Sequence, residues 1–327
     1  MKKKILVTGG AGFIGSNFIR YILNKYDDYE IVNLDKLTYC GNLDNLKDIE
    51  KNKRYKFVKG DITDSKIVEK CLKGCDAIVA FAAETHVDRS IKDPSVFIKT
   101  NVLGTYTLLE AAKKIGTGLY VHISTDEVYG SILKGSFKET DPLNPNSPYS
   151  ASKASGDLLA RSYFITFKLP VIITRSSNNF GPYQYPEKVI PLFVTNLLQD
   201  KKVPLYADGM NMRDWLYVLD NCEAIDLIMH KGSVGEIYNI GAGNEVTNLE
   251  LTHTILALLD KDERLIEYVK DRPGHDKRYA LDITKLKNLG WTPRHDFKYG
   301  IELTIEWYKN NRAWWEKLSK CLKIVKY

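Results

Sequence analysis

Apolar and polar positions follow two alternating regimes along the first 180 residues. Short β-branched or apolar runs at 4–8, 30–34, 56–58, 77–82, 120–123 and 171–175 have the length and composition of buried strands. Between most of them apolar residues recur every three to four positions, as at Phe13, Phe18, Ile19 and Ile22, which predicts helices. The clearest helical patterns cover 101–114 and 150–167. Strands alternating with helices predict an α/β fold, a doubly wound parallel sheet with helices on both faces. After Gly181-Pro182 the alternation lapses, and proline and tyrosine become frequent. One more buried strand, at 236–241, predicts a return to the sheet. Pro273, Gly274 and Pro293 punctuate the rest, which ends in an aromatic-rich helical pattern over 301–315. The expected organisation is a sheet domain over 1–180 with a return segment near 213–243, and a smaller domain built mostly from 181–327.

Composition narrows the function classes. The 327 residues are 44% hydrophobic and 27% charged, ordinary values for a globular protein large enough for a real core. The net charge of +6 comes from dispersed lysines, and segments such as 44–54 mix both signs, as a solvated surface does. A nucleic-acid partner is not expected; a basic cleft for an anionic small molecule fits. Met1-Lys2-Lys3-Lys4 followed by apolar residues resembles a signal peptide, but Thr8-Gly9-Gly10 cuts the run and no small-residue cleavage site follows. No apolar stretch reaches the roughly 18 residues of a membrane span. Five scattered cysteines without a Cys-x-x-Cys predict reduced thiols and a cytoplasmic protein. Six histidines without ligand spacing predict no metal.

Gly9-Gly10-Ala11-Gly12-Phe13-Ile14-Gly15 lies between the first strand and the first helix. Glycines at 9, 12 and 15 let the backbone turn tightly and approach a pyrophosphate, whose charge the helix N-terminus favours. The chain therefore has a Rossmann-type dinucleotide site. Asp35, ending the second strand 20 residues after Gly15, suits both adenosine ribose hydroxyls and repels a 2′-phosphate, which selects NAD; Lys36 tempers that preference. Asp61 is expected to bond the adenine amino group through Asp61-Ile62, to cap a helix beginning at Thr63, or to do both. Ala82 and Ala83 are small enough to let the cofactor diphosphate pass.

Tyr149 and Lys153 stand four residues apart, on one helix face. A phenol with an ordinary pKa near 10 becomes a base near neutrality when a lysine ammonium and a nicotinamide ring favour its phenolate. Thr125 is placed to hydrogen-bond the same substrate oxygen. This is a site for oxidising a secondary alcohol. Asp126-Glu127 follows a strand at the edge where α/β folds bind ligands, and supplies an acid and a base for removing water. Both reach one substrate only if the strand ends near Thr125, because a continued strand sends them to opposite faces.

Together these motifs identify the chain as a member of the extended short-chain dehydrogenase/reductase family. Asp35-Lys36-Leu37-Thr38-Tyr39-Cys40-Gly41-Asn42, Ala82-Ala83-Glu84-Thr85-His86-Val87-Asp88 and Ser124-Thr125-Asp126-Glu127-Val128-Tyr129-Gly130 resemble its nucleotide-sugar 4,6-dehydratases. Arg175-Ser176-Ser177-Asn178-Asn179-Phe180-Gly181-Pro182-Tyr183-Gln184 and Asp271-Arg272-Pro273-Gly274-His275-Asp276 do so too. The resemblance implies a hydro-lyase that moves a hydride from C4 to C6 of a nucleotide-activated glucose, with dTDP-glucose the expected substrate. Tyr149 would be the oxidation base, Asp126 the acid and Glu127 the base of elimination. It adds Phe13, Ile14, Leu37, Thr38, Ile62, Thr100 and Asn179 to the NAD site. Thr85, His86, Thr125, Asn178, Lys188, Val189, Pro204, Leu205, Tyr206, Arg213, Asn248, Arg272 and His275 are implied for the nucleotide sugar. Arg213 and Arg272 suit its diphosphate, the alternative being surface salt bridges. A homodimer through the helices near 101–114 and 150–167 is implied as well. Epimerases of the same fold lack the Asp-Glu pair, and decarboxylases usually carry Ser-Glu there. These, and a non-catalytic NAD sensor, are the rival readings.

Overall fold

A computed structural model describes residues 3–320. Strands β1 (Lys3–Thr8), β2 (Tyr29–Asp35), β3 (Tyr55–Lys59), β4 (Ala77–Ala80), β5 (Leu119–Thr125) and β6 (Val171–Ser176) occupy the runs the sequence marks. Three strands the sequence does not mark follow: β7 (Asn178–Phe180), β8 (Val203–Tyr206) and β9 (Met212–Tyr217). Then come β10 (Ile237–Ile240), the expected return strand, and two more unmarked ones, β11 (Glu245–Thr247) and β12 (Ile266–Val269).

Seven strands form one parallel sheet in the order β10-β6-β5-β4-β1-β2-β3. Side chains alternate between its faces with period two. Ile5, Val7, Ile31, Val79, Val121 and Ile172 enter one core, which the helices Phe13–Lys25 and Val218–Lys231 cover. Leu6, Val32, Ile78, Tyr120 and Val171 enter the other, beneath Ser65–Leu72, Thr105–Ile115 and Pro148–Phe167. Burial on both faces is why these strands read as continuous apolar runs rather than as alternation.

The helix expected over 101–114 has a more complicated entry. A π-helical turn over Ile98–Gly104 precedes the regular helix Thr105–Ile115. The helical pattern at 301–315 is two helices, Phe297–Asn310 and Arg312–Ser319, separated at Asn311, whose φ of −116° and ψ of 39° leave the helical range. These helices share a third core with Val189–Leu197 and Asn248–Leu258, centred on Phe180, Phe193, Trp215, Leu251 and Trp315. Two small sheets, β11-β9-β7 and β12-β8, complete this part of the chain.

Among the described residues, no helix is long and apolar enough to cross a membrane, and no group of three or more His, Cys, Asp or Glu is placed to hold a metal ion. Cys40, Cys71, Cys75 and Cys222 are free thiols; Cys321 lies outside the described residues.

Candidate active site

A cleft of about 310 Å³ opens at the C-terminal ends of the central strands. The glycine-rich loop forms its floor. Gly9 has φ +72°, and a Cβ there would lie 2.6 Å from the Ala82 amide nitrogen. A Cβ on Gly15 would lie 2.5 Å from the Gly9 carbonyl oxygen. Glycine is thus required for the turn and for the packing of helix Phe13–Lys25 against it.

Asp35 ends β2 with both carboxylate oxygens engaged. Ala11 N donates to Oδ2 at 2.9 Å and Leu37 N to Oδ1 at 2.8 Å. Leu37 adopts a left-handed φ of +57°, and its amide makes the second bond. Lys36 pairs with Asp61 at 2.7 Å. Asp61 is not a helix cap: it accepts from Thr63 N, while Asp64 caps the helix Ser65–Leu72. The turn at Asp61-Ile62-Thr63 delays the helix by two residues and leaves Asp61 and Ile62 on the cleft wall.

Phe13, Ile14, Thr38, Ala82, Ala83, Thr100 and Asn179 also line the cleft; Leu37 does not. The lining holds buried polar atoms without partners, among them the Asn178 and Asn179 amide oxygens and Asp126 Oδ2. Unpaired polar groups facing a cleft fit a polar ligand. The glycine cradle, the Asp35 carboxylate and these orphan groups together suit a dinucleotide.

β5 ends at Thr125, and a 3₁₀ turn over Asp126–Tyr129 follows, capped by the Thr125 hydroxyl, which accepts from Glu127 N at 3.3 Å. The strand therefore stops where it must for both carboxylates to share the cleft, and both line it. Asp126 is 2% exposed, with Oδ2 unpartnered. Burial, then the neighbouring Glu127, pushes its carboxyl well above the usual carboxylate range. Burial also raises Glu127, but Arg272, Lys188 and Arg213 oppose the shift. The pair is divided electrostatically: Asp126 favours the protonated form, and three cations support charge on Glu127.

Tyr149 and Lys153 lie on helix Pro148–Phe167, which Ser147 opens with a capping box. Burial, and then Glu127, raises the Tyr149 phenol, while the Thr85 and Thr125 hydroxyls pull it down. Lys153 Nζ donates to the Ile123 carbonyl at 2.6 Å, and burial lowers its pKa to about 8. The lysine is thus anchored to the strand that carries the acid pair.

The residues implied for the sugar nucleotide divide. Thr85, Asn178 and Lys188 line the cleft. Arg272, beside Asp88 at 3.4 Å, and Arg213 stand outside the cleft lining but act with Lys188 on Glu127. Neither arginine is a surface salt bridge: Arg213 is 5% exposed, donates to the Met212 and Asp276 carbonyls, and stacks on Tyr279. His275, bonded to Asp271 at 2.6 Å, meets the Tyr206 ring edge-on. His86 is driven by burial, and then by Lys188 and Arg272, to a pKa of about 2, a neutral imidazole. Val189, Pro204, Leu205 and Asn248 stand outside the cleft lining, Leu205 being 1% exposed.

The family model described as GDP-mannose 4,6 dehydratase matches residues 6–304. The chain belongs to that family. Among its members, a dTDP-glucose 4,6-dehydratase of Streptomyces niveus is 52% identical over 97% of this chain and 96% of its own length. The dTDP-glucose 4,6-dehydratase of Bacillus anthracis, solved in complex with NAD, is 54% identical with a TM-score of 0.91, covering 97% of this chain and 99% of that one. The Streptomyces venezuelae dTDP-glucose 4,6-dehydratase, with NAD and TYD bound, is 53% identical with a TM-score of 0.95 over 96% and 99%. A UDP-glucuronic acid 4-epimerase of Bacillus cereus shares the fold at a TM-score of 0.89 but only 30% identity.

Several family residues in the cleft escape sequence reasoning. Cys40, Gln184, Tyr185 and Glu84 line it. Tyr39 donates to Glu187 at 2.8 Å and to the Thr85 carbonyl at 3.2 Å, so three separate loops meet there. Tyr39, Cys40, Glu84 and Gln184 stand inside the quoted motif strings, Tyr185 and Glu187 just beyond one; nothing in their spacing announces a pocket.

Proposed function

We propose that the protein dehydrates dTDP-glucose to the 4-keto-6-deoxy sugar nucleotide, with NAD retained through the cycle. The observation that carries this reading is Asp126 and Glu127 in one cleft with Tyr149 and Lys153, where oxidation and elimination machinery meet. The 52–54% identity to dTDP-glucose 4,6-dehydratases supports the substrate.

The glycine loop, Asp35, Asp61 and Ile62 would hold the cofactor's diphosphate and adenosine, and Lys153 its nicotinamide ribose. Bound NAD would supply the hydride acceptor for C4 and, once reduced, the hydride donor for C6. Tyr149 takes the C4 hydroxyl proton, with Thr85 and Thr125 hydrogen-bonded beside it. A ketone at C4 acidifies the C5 hydrogen, which Glu127 removes and, once hydride has reached C6, replaces with a proton. Asp126, kept protonated by burial, gives its proton to the departing C6 hydroxyl. Arg213 and Arg272 suit the sugar nucleotide's diphosphate. The test uses dTDP-glucose carrying deuterium at C4: the product should be lighter by one water and carry the label at C6. Label at C4 of an inverted sugar would identify an epimerase, and label lost to solvent would contradict a closed cycle.

A cytoplasmic homodimer belongs to the same reading. Helix Pro148–Phe167 exposes Leu158 (59%), Ile165 (49%) and Phe167 (49%), and the neighbouring helical segment exposes Ile98, Leu103 and Tyr106. Apolar side chains clustered on two adjacent helices suit a partner face. Leu158→Asp should convert dimer to monomer in sedimentation velocity; a monomeric parent, or a variant that stays dimeric, would refute this interface.

A further inference from the structure

We propose that the C-terminal helix Arg312–Ser319 clamps the cofactor site, with Trp314 acting through Asn45 to hold the glycine-rich loop. The inference rests on the NAD reading above. Trp314 Nε1 donates to Asn45 Oδ1 at 3.0 Å. Asn45 is 1% exposed, and its Nδ2 donates to the Ala11 carbonyl at 2.9 Å. Ala11 lies inside the glycine-rich loop, and its own amide donates to Asp35 Oδ2 at 2.9 Å. Three successive hydrogen bonds thus run from the last described helix to the Asp35 carboxylate, the group that would hold the ribose.

The chain's geometry is tightly specified. Arg20 Nη2 donates to the Asn45 carbonyl at 2.6 Å, and Asn42 N donates to the same Ala11 oxygen at 3.0 Å. Trp314 is itself positioned by Trp307 and Tyr183, with ring centroids 5.0 and 6.0 Å away. Arg20 stacks on Tyr183 at 4.6 Å, returning the contact to the helix that follows the glycine loop. Lys317 pairs with Asp44 at 3.0 Å, but both are exposed, so that pair adds little. The buried amide is the coupling element. Glycines give the loop mobility, and a buried asparagine with fixed partners removes it; losing the indole donor leaves Asn45 Oδ1 unpaired. A cofactor recycled at every turnover has no need to leave, and a clamp from the far end of the chain slows its escape. Trp314 is a positioning residue in this arrangement, remote from the reacting atoms.

The experiment loads the full-length holoenzyme with radiolabelled NAD and chases it with excess unlabelled NAD. Trp314→Phe keeps an aromatic ring and removes the N–H; it should release label about five- to tenfold faster, the scale of one lost hydrogen bond. Its KM for the sugar nucleotide should stay near the parent's, and its Tm should fall by only a few degrees, the cost of one unpaired buried oxygen. Asn45→Ala should release at least as fast, and the double variant no faster than Asn45→Ala alone, because both act on one chain of contacts. Parental release from Trp314→Phe, or independent additive effects in the double variant, would overturn the clamp. A parent that took up no NAD would instead remove the functional reading and the clamp with it.

Discussion

Glu127→Gln should lower dehydration by about 10²–10⁴-fold while the protein still folds and binds the sugar nucleotide. Glutamine keeps the shape of the side chain and cannot accept the C5 proton. In deuterium oxide the parent should place solvent deuterium at C5 of the product, and the variant should lose that exchange together with turnover. Asp126→Asn should be impaired on a similar scale, because an amide has no carboxylic proton for the leaving hydroxyl. The pH profile follows from the two directions of shift. Glu127 works ionised, so kcat/KM falls as pH drops through its raised pKa. Asp126 works protonated, so kcat/KM falls as pH rises through its own, which burial lifts well above the ordinary value. A bell is expected, each limb displaced upward from its group's ordinary pKa and both belonging to the coupled pair. Near-parental turnover and C5 exchange in Glu127→Gln would reduce the pair to a structural one.

Tyr149→Phe should abolish most turnover, again by roughly 10²–10⁴-fold, by removing the oxidation base. The ring's edge-to-face contact with Phe97, 6.2 Å between centroids, survives the change, so the fold should not suffer. Binding of the sugar nucleotide, followed by calorimetry, should be nearly unchanged. Because burial and the Glu127 charge hold the phenol above its ordinary pKa, the base role depends on positive charge arriving beside it. Lys153, with its pKa lowered to about 8, is the residue on the same helix that can provide it, and it does so less as pH rises through that value. A phenylalanine variant that kept near-normal turnover would assign the proton to another group.

The sheet was legible because its strands are buried on both faces and connected by helices, so each element carries its own local signal. The glycine loop, Asp35 and the Tyr149/Lys153 spacing were legible for the same reason: each is a local signal, read from one strand-to-helix turn, one strand end and one helix face. β8, β11 and β12 gave no such signal. They are three or four residues long, and their pairing depends on partners far along the chain. Between the two roles open to Asp61 the sequence could not choose, because two residues of backbone separate them; Asp64 takes the cap, and Asp61 stays on the cleft wall. The amino-acid sequence determined by itself that Asp126 and Glu127 stand side by side after a strand. Only the tertiary structure decided that they differ. Asp126 is buried with an unpaired oxygen, whereas Arg213, Lys188 and Arg272, from three separate segments, act on Glu127. A carboxyl group's proton affinity is set by the dielectric and charges around it, and those surroundings exist only once distant parts of the chain have come together.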